Sequence, residues 1–340
     1  MRSLLFFVLV FFLTEKSYAQ PCRNLVLEGG GIRGIAYTGA IKVLEEQGIT
    51  DSLQNIAGTS VGAVAATLMS VGYTADELKQ LMFSLKVQTF NDGSGIFIGG
   101  QRRTRKLFGW YRGDALEKWI GQLVKARTGD EHTTFAALHA LALKDRRFKD
   151  LYVTATNLSQ QKAETFSYLT YPDMEIKTAV RTSISVPLYF SAVFLDSNGR
   201  RICKPSAGDK YNVFVDGGIL ANYPLGLFDT SAGNSYKADD RTLGLKLERP
   251  EQIGYFDAAN REIAPYKIRN FRSYIAALYN LIIEKLNRDQ AFAHEDYRTI
   301  YISTSNMNPR VRHITFAQKE LLYDNGRLAA QKFFLQEHTH

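Results

Sequence analysis

Residues 24–69, NLVLEGGGIRGIAYTGAIKVLEEQGITDSLQNIAGTSVGAVAATLM, switch twice between a strand-like and a helix-like hydrophobic pattern, and that alternation decides the fold. Asn24 to Glu28 reads as a short buried strand, Gly29 to Gly34 as a tight loop, and Ile35 to Gln47 as a helix with apolar residues at helical spacing. Gly48 ends that helix. A second buried strand runs through Ile56 and Ala57 into Gly58-Thr59-Ser60-Val61-Gly62, and Ala63 to Met69 is small and apolar enough for a buried helix. Strand, loop, helix, strand, elbow, helix opens an α/β fold with a mainly parallel central sheet.

Working outward, further strands are expected at Leu151–Thr156, Val213–Asp216, Thr242–Leu247 and Thr299–Ser303, and helices at Asp114–Ala126, Phe271–Asn287 and Phe316–Phe334. No internal repeat or low-complexity linker interrupts the alternation, so residues 20–340 read as one catalytic-type domain with its core motifs over 25–224 and a C-terminal strand and helices over 240–335. A helical or loop insertion falls at about 84–112, most clearly from Phe90 to Arg112. It carries two glycine clusters and the basic run Arg102, Arg103, Arg105 and Lys106, followed by Phe108, Trp110 and Tyr111. A basic run is commonly just a solvated face, but basic residues beside interfacial aromatics also describe a surface suited to anionic lipid headgroups.

The first residues read as a leader. Arg2, an apolar run from Leu4 to Leu13 and the small-residue spacing Ser17-Tyr18-Ala19 form a signal peptide over 1–19, with Gln20 as the first mature residue. Its apolar run of about ten residues is too short for the roughly 20 a helical span needs. A lipoprotein reading is poor because Pro21, not a small residue, precedes Cys22. The remainder has no run of 18 or more uncharged apolar residues. Export points to a periplasmic, outer-surface or secreted protein. The net charge of +8 suits a nucleic acid or an anionic membrane surface, and export disfavours the nucleic acid. Cys22 and Cys203 are too few for a disulfide framework, so stability comes from a core, and spacing leaves open whether the two pair.

The strongest chemical signal is Gly58-Thr59-Ser60-Val61-Gly62. A serine between two glycines, after a strand and before a helix, sits on a turn sharp enough to push its hydroxyl out of the fold and leave it at a helix N-terminus. The second signal, Gly29-Gly30-Gly31-Ile32-Arg33-Gly34, fits two chemistries. It matches a dinucleotide fingerprint, with Asp51 near the distance of a ribose-binding acid, which would make the chain a dinucleotide-dependent oxidoreductase. It serves equally as an oxyanion hole, because free N–H groups without side chains can approach a tetrahedral adduct closely. Only the second chemistry uses the serine elbow.

The third signal separates hydrolase types. In an α/β-hydrolase triad the elbow normally follows several strands, whereas here it arrives about 40 residues after Ala19. His294, His313, His338 and His340 follow the acid candidate but stand in no glycine-marked or strand-end setting, the last two belong to a terminal tail, and His132 and His139 read as surface or satisfied helix residues. By contrast Val213-Phe214-Val215-Asp216-Gly217-Gly218 puts an acid at the end of an apolar strand, with glycines that permit close approach. No zinc or calcium pattern appears: His294-Glu295-Asp296 lacks a second histidine one turn on.

The glycine loop, the Gly58–Gly62 elbow continuing into Ala63, and Asp216-Gly217-Gly218 together resemble the patatin-like phospholipase family, in that family's order. Arg181-Thr182-Ser183-Ile184-Ser185-Val186-Pro187 is similar to the family's segment before the acid, although Thr182 stands where alanine is commoner. The resemblance spans roughly Leu25 to Pro224, with a less specific echo through Phe316 and Gly326. It implies a three-layer α/β/α sandwich and a serine–aspartate dyad with neither histidine, metal nor cofactor. It further implies Ser60 as nucleophile, Asp216 as its base, the glycine loop with Gly30 and Gly31 as oxyanion donors, and a lipid ester as substrate. A carboxylate is a weak base at its ordinary pKa near 4, so the site is expected to be partly dry. An exported, non-catalytic binding protein on a degenerate fold is the remaining alternative, and the intact nucleophile, loop and acid argue against it.

Overall fold

Leu25, Val26 and Leu27 are all fully buried, and burial of successive residues, whose side chains point to opposite faces, puts Asn24–Leu27 (β1) in the interior of a sheet. The computed structural model describes residues 22–93, 98–206, 208–232, 235–255, 263–270, 273, 274, 277, 281, 296–307 and 314–337. The expected leader at 1–19, most of the helix expected over Phe271–Asn287, and His294, His313, His338 and His340 lie outside the described residues.

The remaining strands are β2 (Asn55–Thr59), β3 (Gly109–Tyr111), β4 (Asp150–Asn157), β5 (Lys162–Phe166), β6 (Leu188–Phe190), β7 (Val193–Leu195), β8 (Asn212–Asp216), β9 (Thr230–Ala232), β10 (Ser235–Lys237), β11 (Thr242–Glu248) and β12 (Thr299–Ser303). The helices up to the acid strand are α1 (Ile35–Glu46), α2 (Ile49–Ser52), α3 (Val61–Ser70), α4 (Ala75–Ser84), α5 (Ile98–Leu107), α6 (Asp114–Thr128), α7 (Phe135–Ala142) and α8 (Ile176–Ser183), and a long helix, Phe316–Glu337, closes the fold.

The main sheet runs β12-β11-β1-β2-β4-β8-β7, with β5 also on β4. Its β12-to-β4 part is parallel, as the alternation of strands and helices predicts. The sheet as a whole is mixed: four of its seven pairings among the described residues are parallel, in line with a mainly parallel expectation, but β5, β7 and β8 all pair antiparallel, which that expectation did not place. The chain between β4 and β5, Leu158 to Gln161, is far too short for the dozen or more residues of a parallel crossover. From β7 the chain returns to β8 through 196–211 without a helix among the described residues to carry one.

Alternation along the strands divides the core. Leu25, Leu27, Ile56, Val153 and Leu245 share a large cluster with α1 and α3, whereas Val26, Ala57 and Tyr152 share a small one with Leu225 on a 3₁₀ turn, Leu225–Phe228. α1 also packs on Phe316–Glu337 at backbone contact distance. A Cβ at Gly39 would lie 1.9 Å from the Tyr323 carbonyl oxygen, and one at Gly326 1.9 Å from that of Ala36, so the two glycines set how closely these helices cross. Cys22 is buried and Cys203 exposed, and both are free thiols. No helix among the described residues is long and apolar enough to cross a membrane.

Candidate active site

β2 ends at Thr59 and α3 begins at Val61, so Ser60 alone makes the turn, with φ 53° and ψ −121°. Such a backbone costs an L-residue about 1–3 kcal/mol and persists only where its surroundings hold it. The flanking glycines make room for it. A Cβ on Gly58 would sit 2.3 Å from the Gly62 carbonyl oxygen, and one on Gly62 would sit 2.3 Å from that of Leu27. The elbow folds back on itself and presses on the end of β1, leaving no room for a side chain on either arm.

Strand β4 brings the acid to the serine. Thr59 stands opposite Thr154 and Asp216 opposite Ala155, so the residue before Ser60 and the acid are one step apart along the same strand. Ser60 Oγ donates to Asp216 Oδ2 at 2.8 Å, and both residues are buried, at 8% and 7% exposure. The other carboxylate oxygen accepts the Gly218 N–H at 2.7 Å. A Cβ on Gly217 would lie 2.5 Å from the Thr154 carbonyl oxygen, which is why glycine follows the acid. Burial pushes the Asp216 carboxyl up to about 6, against the lowering effect of the hydrogen bonds from Gly218 and Ser60. A carboxylate with that pKa is ionised at neutral pH yet a better proton acceptor than an ordinary aspartate.

The glycine loop meets the elbow from the β1 side. A Cβ on Gly29 would lie 3.3 Å from the Ser60 Cβ and 2.3 Å from Asn222 Oδ1. Gly29 donates its N–H to the Asn222 carbonyl at 3.0 Å, Gly30 has φ −169°, and Gly31, at φ 58°, starts a 3₁₀ turn through Ile32 and Arg33 to Gly34. A Cβ on Gly34 would strike the Val61 side chain at 2.5 Å, and Arg33 Nε turns back to the Gly30 carbonyl at 3.0 Å. The dinucleotide reading fails on topology. Asp51 lies in α2, before β2 begins, whereas the loop lies beyond the end of the parallel strand β1. Acid and loop are therefore at opposite ends of the parallel strands, a strand length of about 15 Å apart.

Four residues at the site carried no individual role from sequence alone. Asn222 Nδ2 reaches Glu28 Oε1 at 3.1 Å and the Gly29 carbonyl at 3.2 Å, while Glu28 Oε2 accepts the Leu247 N–H at 2.7 Å. This buried carboxylate and half-buried amide lock the glycine loop to β11 and to the segment after the acid. Ser60 N–H donates to Ser183 Oγ at 2.8 Å, and Asp216 N–H to the Ser185 carbonyl at 2.9 Å. A serine-rich segment before the acid was the only signal for the last pair. Nothing in the chain distinguishes Asn222 from an ordinary turn asparagine.

The described histidines are spent elsewhere. His132 bonds Glu175, and His139 bonds Asp150 at 2.8 Å while stacking on Tyr168. The insertion divides. Arg103 Nε donates to the Trp110 carbonyl at 2.8 Å, Trp110 lies against the backbone of α5 at Gly100, and Tyr111 packs on Tyr189. Arg102, Arg105, Lys106 and Phe108 face solvent, joined by Leu188, which pairs with Gly109 and is 70% exposed.

A family model described as patatin-like phospholipase matches residues 25–229. An uncharacterized protein of Acanthamoeba polyphaga mimivirus is 29% identical over 92% of this chain and 93% of its own length. A probable lipid hydrolase of Invertebrate iridescent virus 6 is 24% identical over 60% of this chain and 62% of its own. Among solved structures, VipD from Legionella pneumophila superposes with a TM-score of 0.57 at 19% identity, covering 92% of this chain and 67% of that one, a likeness of fold.

Proposed function

Because the chain belongs to the patatin-like phospholipase family, whose members hydrolyse lipid esters, we propose that it cleaves carboxylic esters of lipids, as a phospholipase A or a lysophospholipase does, through a Ser60–Asp216 dyad. The observation that carries this reading is the buried 2.8 Å hydrogen bond from the Ser60 hydroxyl to the Asp216 carboxylate, at a strained elbow and with no histidine among its partners in the described residues.

Ser60 Oγ attacks the ester carbonyl carbon while its proton passes to Asp216 Oδ2, and the carbonyl oxygen takes up the negative charge. The tetrahedral adduct then expels the alcohol, which leaves with the proton from Asp216, and an acyl-enzyme remains on Ser60. Water loses a proton to Asp216 as it attacks the acyl carbon, and collapse frees the acid and returns the proton to Ser60. The oxyanion donors in this reading are the backbone N–H groups of Gly30 and Gly31, aided by the N-terminus of α3, because Gly29 already donates to Asn222. Arg33 is half-buried beside this loop and adds positive charge to it.

The same reading includes export by the leader at 1–19 and action at an anionic membrane. Arg102, Arg105 and Lys106 supply attraction, and the exposed Phe108 and Leu188 supply apolar contact. The chain lacking residues 1–19, and its Ser60→Ala variant, are incubated with vesicles of mixed phospholipids, lysophospholipids and triglycerides, and the products are followed by lipid mass spectrometry. Free fatty acid should accumulate with the first protein and not the second. Equal release, or none from either, contradicts the assignment.

A further inference from the structure

We infer that Ser183 is a positioning residue for the nucleophile, acting through the Ser60 backbone at the end of α8, an inference that rests on the dyad reading. Ser60 occupies a backbone conformation that does not persist unaided. The flanking glycines permit it without holding it. What holds it is the hydrogen bond from Ser60 N–H to Ser183 Oγ at 2.8 Å, made by a side chain with no exposed surface.

The same turn holds the other half of the dyad, since the Ser185 carbonyl accepts the Asp216 N–H at 2.9 Å. Two residues apart on one helix end, a hydroxyl and a carbonyl fix the main chain of nucleophile and base relative to each other. Arg181 keeps that end in place. Its guanidinium is fully buried and donates to Ser185 Oγ at 2.5 Å, to the Arg112 carbonyl at 2.5 Å and to the Ser191 carbonyl at 2.9 Å. Arg112 follows β3 and Ser191 follows β6, so the brace is anchored in the small sheet of the insertion. Gly113, at φ 76°, leaves the space, as a Cβ there would lie 2.1 Å from Arg181 Nε. Ser183 touches neither the Ser60 hydroxyl nor the Asp216 carboxylate through any hydrogen bond among the described residues, so its removal acts on Oγ only through the Ser60 main chain, and a misplaced Oγ weakens the hydrogen bond that lowers the Asp216 pKa.

The test compares the full chain with Ser183→Ala and Ser183→Cys, the second keeping the volume but offering a weak acceptor, using a soluble ester and Ser60→Ala as control. The expected loss in kcat is about tenfold or more for Ala and smaller for Cys, as for a misplaced reacting atom, with KM within about twofold and the acid limb moved, if at all, to higher pH. Should the Ala variant not fold, the Cys variant decides alone. Wild-type kcat in the folded variants, a loss carried by KM, or an acid limb moved to lower pH overturns the inference while leaving the dyad intact. Activity surviving in Ser60→Ala overturns the dyad, and the inference with it.

Discussion

The elbow and the insertion meet the solvent in opposite ways. At the elbow the glycines mark close backbone approaches: Gly58 on Gly62, Gly62 on Leu27 and Gly217 on Thr154, each of which admits no side chain. In the insertion the constraints are side chains over backbone, with Arg103 and Trp110 folded against it, and the outward face carries Arg102, Arg105, Lys106 and Phe108. A site that needs glycine leaves a mark in the chain, whereas a surface that needs only charge and area does not. The difference predicts that changes at the elbow abolish chemistry or the fold, and that changes on the insertion's outward face leave both alone.

The largest effect is expected for Ser60→Ala and Asp216→Asn, each lowering kcat/KM for a soluble ester by about 10³-fold or more, since groups acting as a unit fail together. Circular dichroism should show the fold retained. Next, Gly30→Ala puts a Cβ 2.4 Å from Leu247 Cδ1 and shifts the loop, so kcat should fall by about 10²-fold in the same assay. Wild-type turnover in that variant would remove the loop from the oxyanion role.

Asp216 gives a prediction of opposite sign for stability. Its folded pKa of about 6 lies above the unfolded value near 4, so its favourable contribution is complete below about pH 4 and is lost as pH rises through 6. The ionised base therefore costs the fold about 1–3 kcal/mol at pH 8. Asp216→Asn should melt a few degrees higher than wild type at pH 8 and at the same temperature at pH 4. An unchanged Tm difference between the two pH values would mean that Asp216 is not strained by burial.

How much of this was readable from the chain follows the same division. Gly58, Ser60, Gly62 and Asp216 announced themselves because geometry restricts those positions to one or two residue types. β4 as the shared ruler, Asn222 and the Ser183 contact did not, because pairing register and side-chain direction are set by packing between segments far apart in the chain. The mixed sheet escaped notice for a similar reason: the Val213–Asp216 pattern marks a strand but not its direction. In the insertion, aromatic and basic composition gave no sign that Arg103, Trp110 and Tyr111 turn inward.

The smallest effect on chemistry belongs to that outward face. Replacing Arg102, Arg105 and Lys106 by Gln should weaken sedimentation with anionic vesicles by about 1 kcal/mol per residue, more strongly at low salt, with soluble-ester turnover unaltered. A collapse of turnover would make the insertion part of the site.

The dyad itself is tested most directly by fluorophosphonate labelling followed by peptide mass spectrometry across pH 4.5 to 8. The adduct should sit on Ser60, its rate should fall about tenfold per unit below an apparent pKa near 6, and Asp216→Asn should label at a residual rate without that pH dependence. An adduct on another residue, or an Asp216→Asn variant that labels as fast as wild type with the same acid limb, would contradict Asp216 as the base of Ser60.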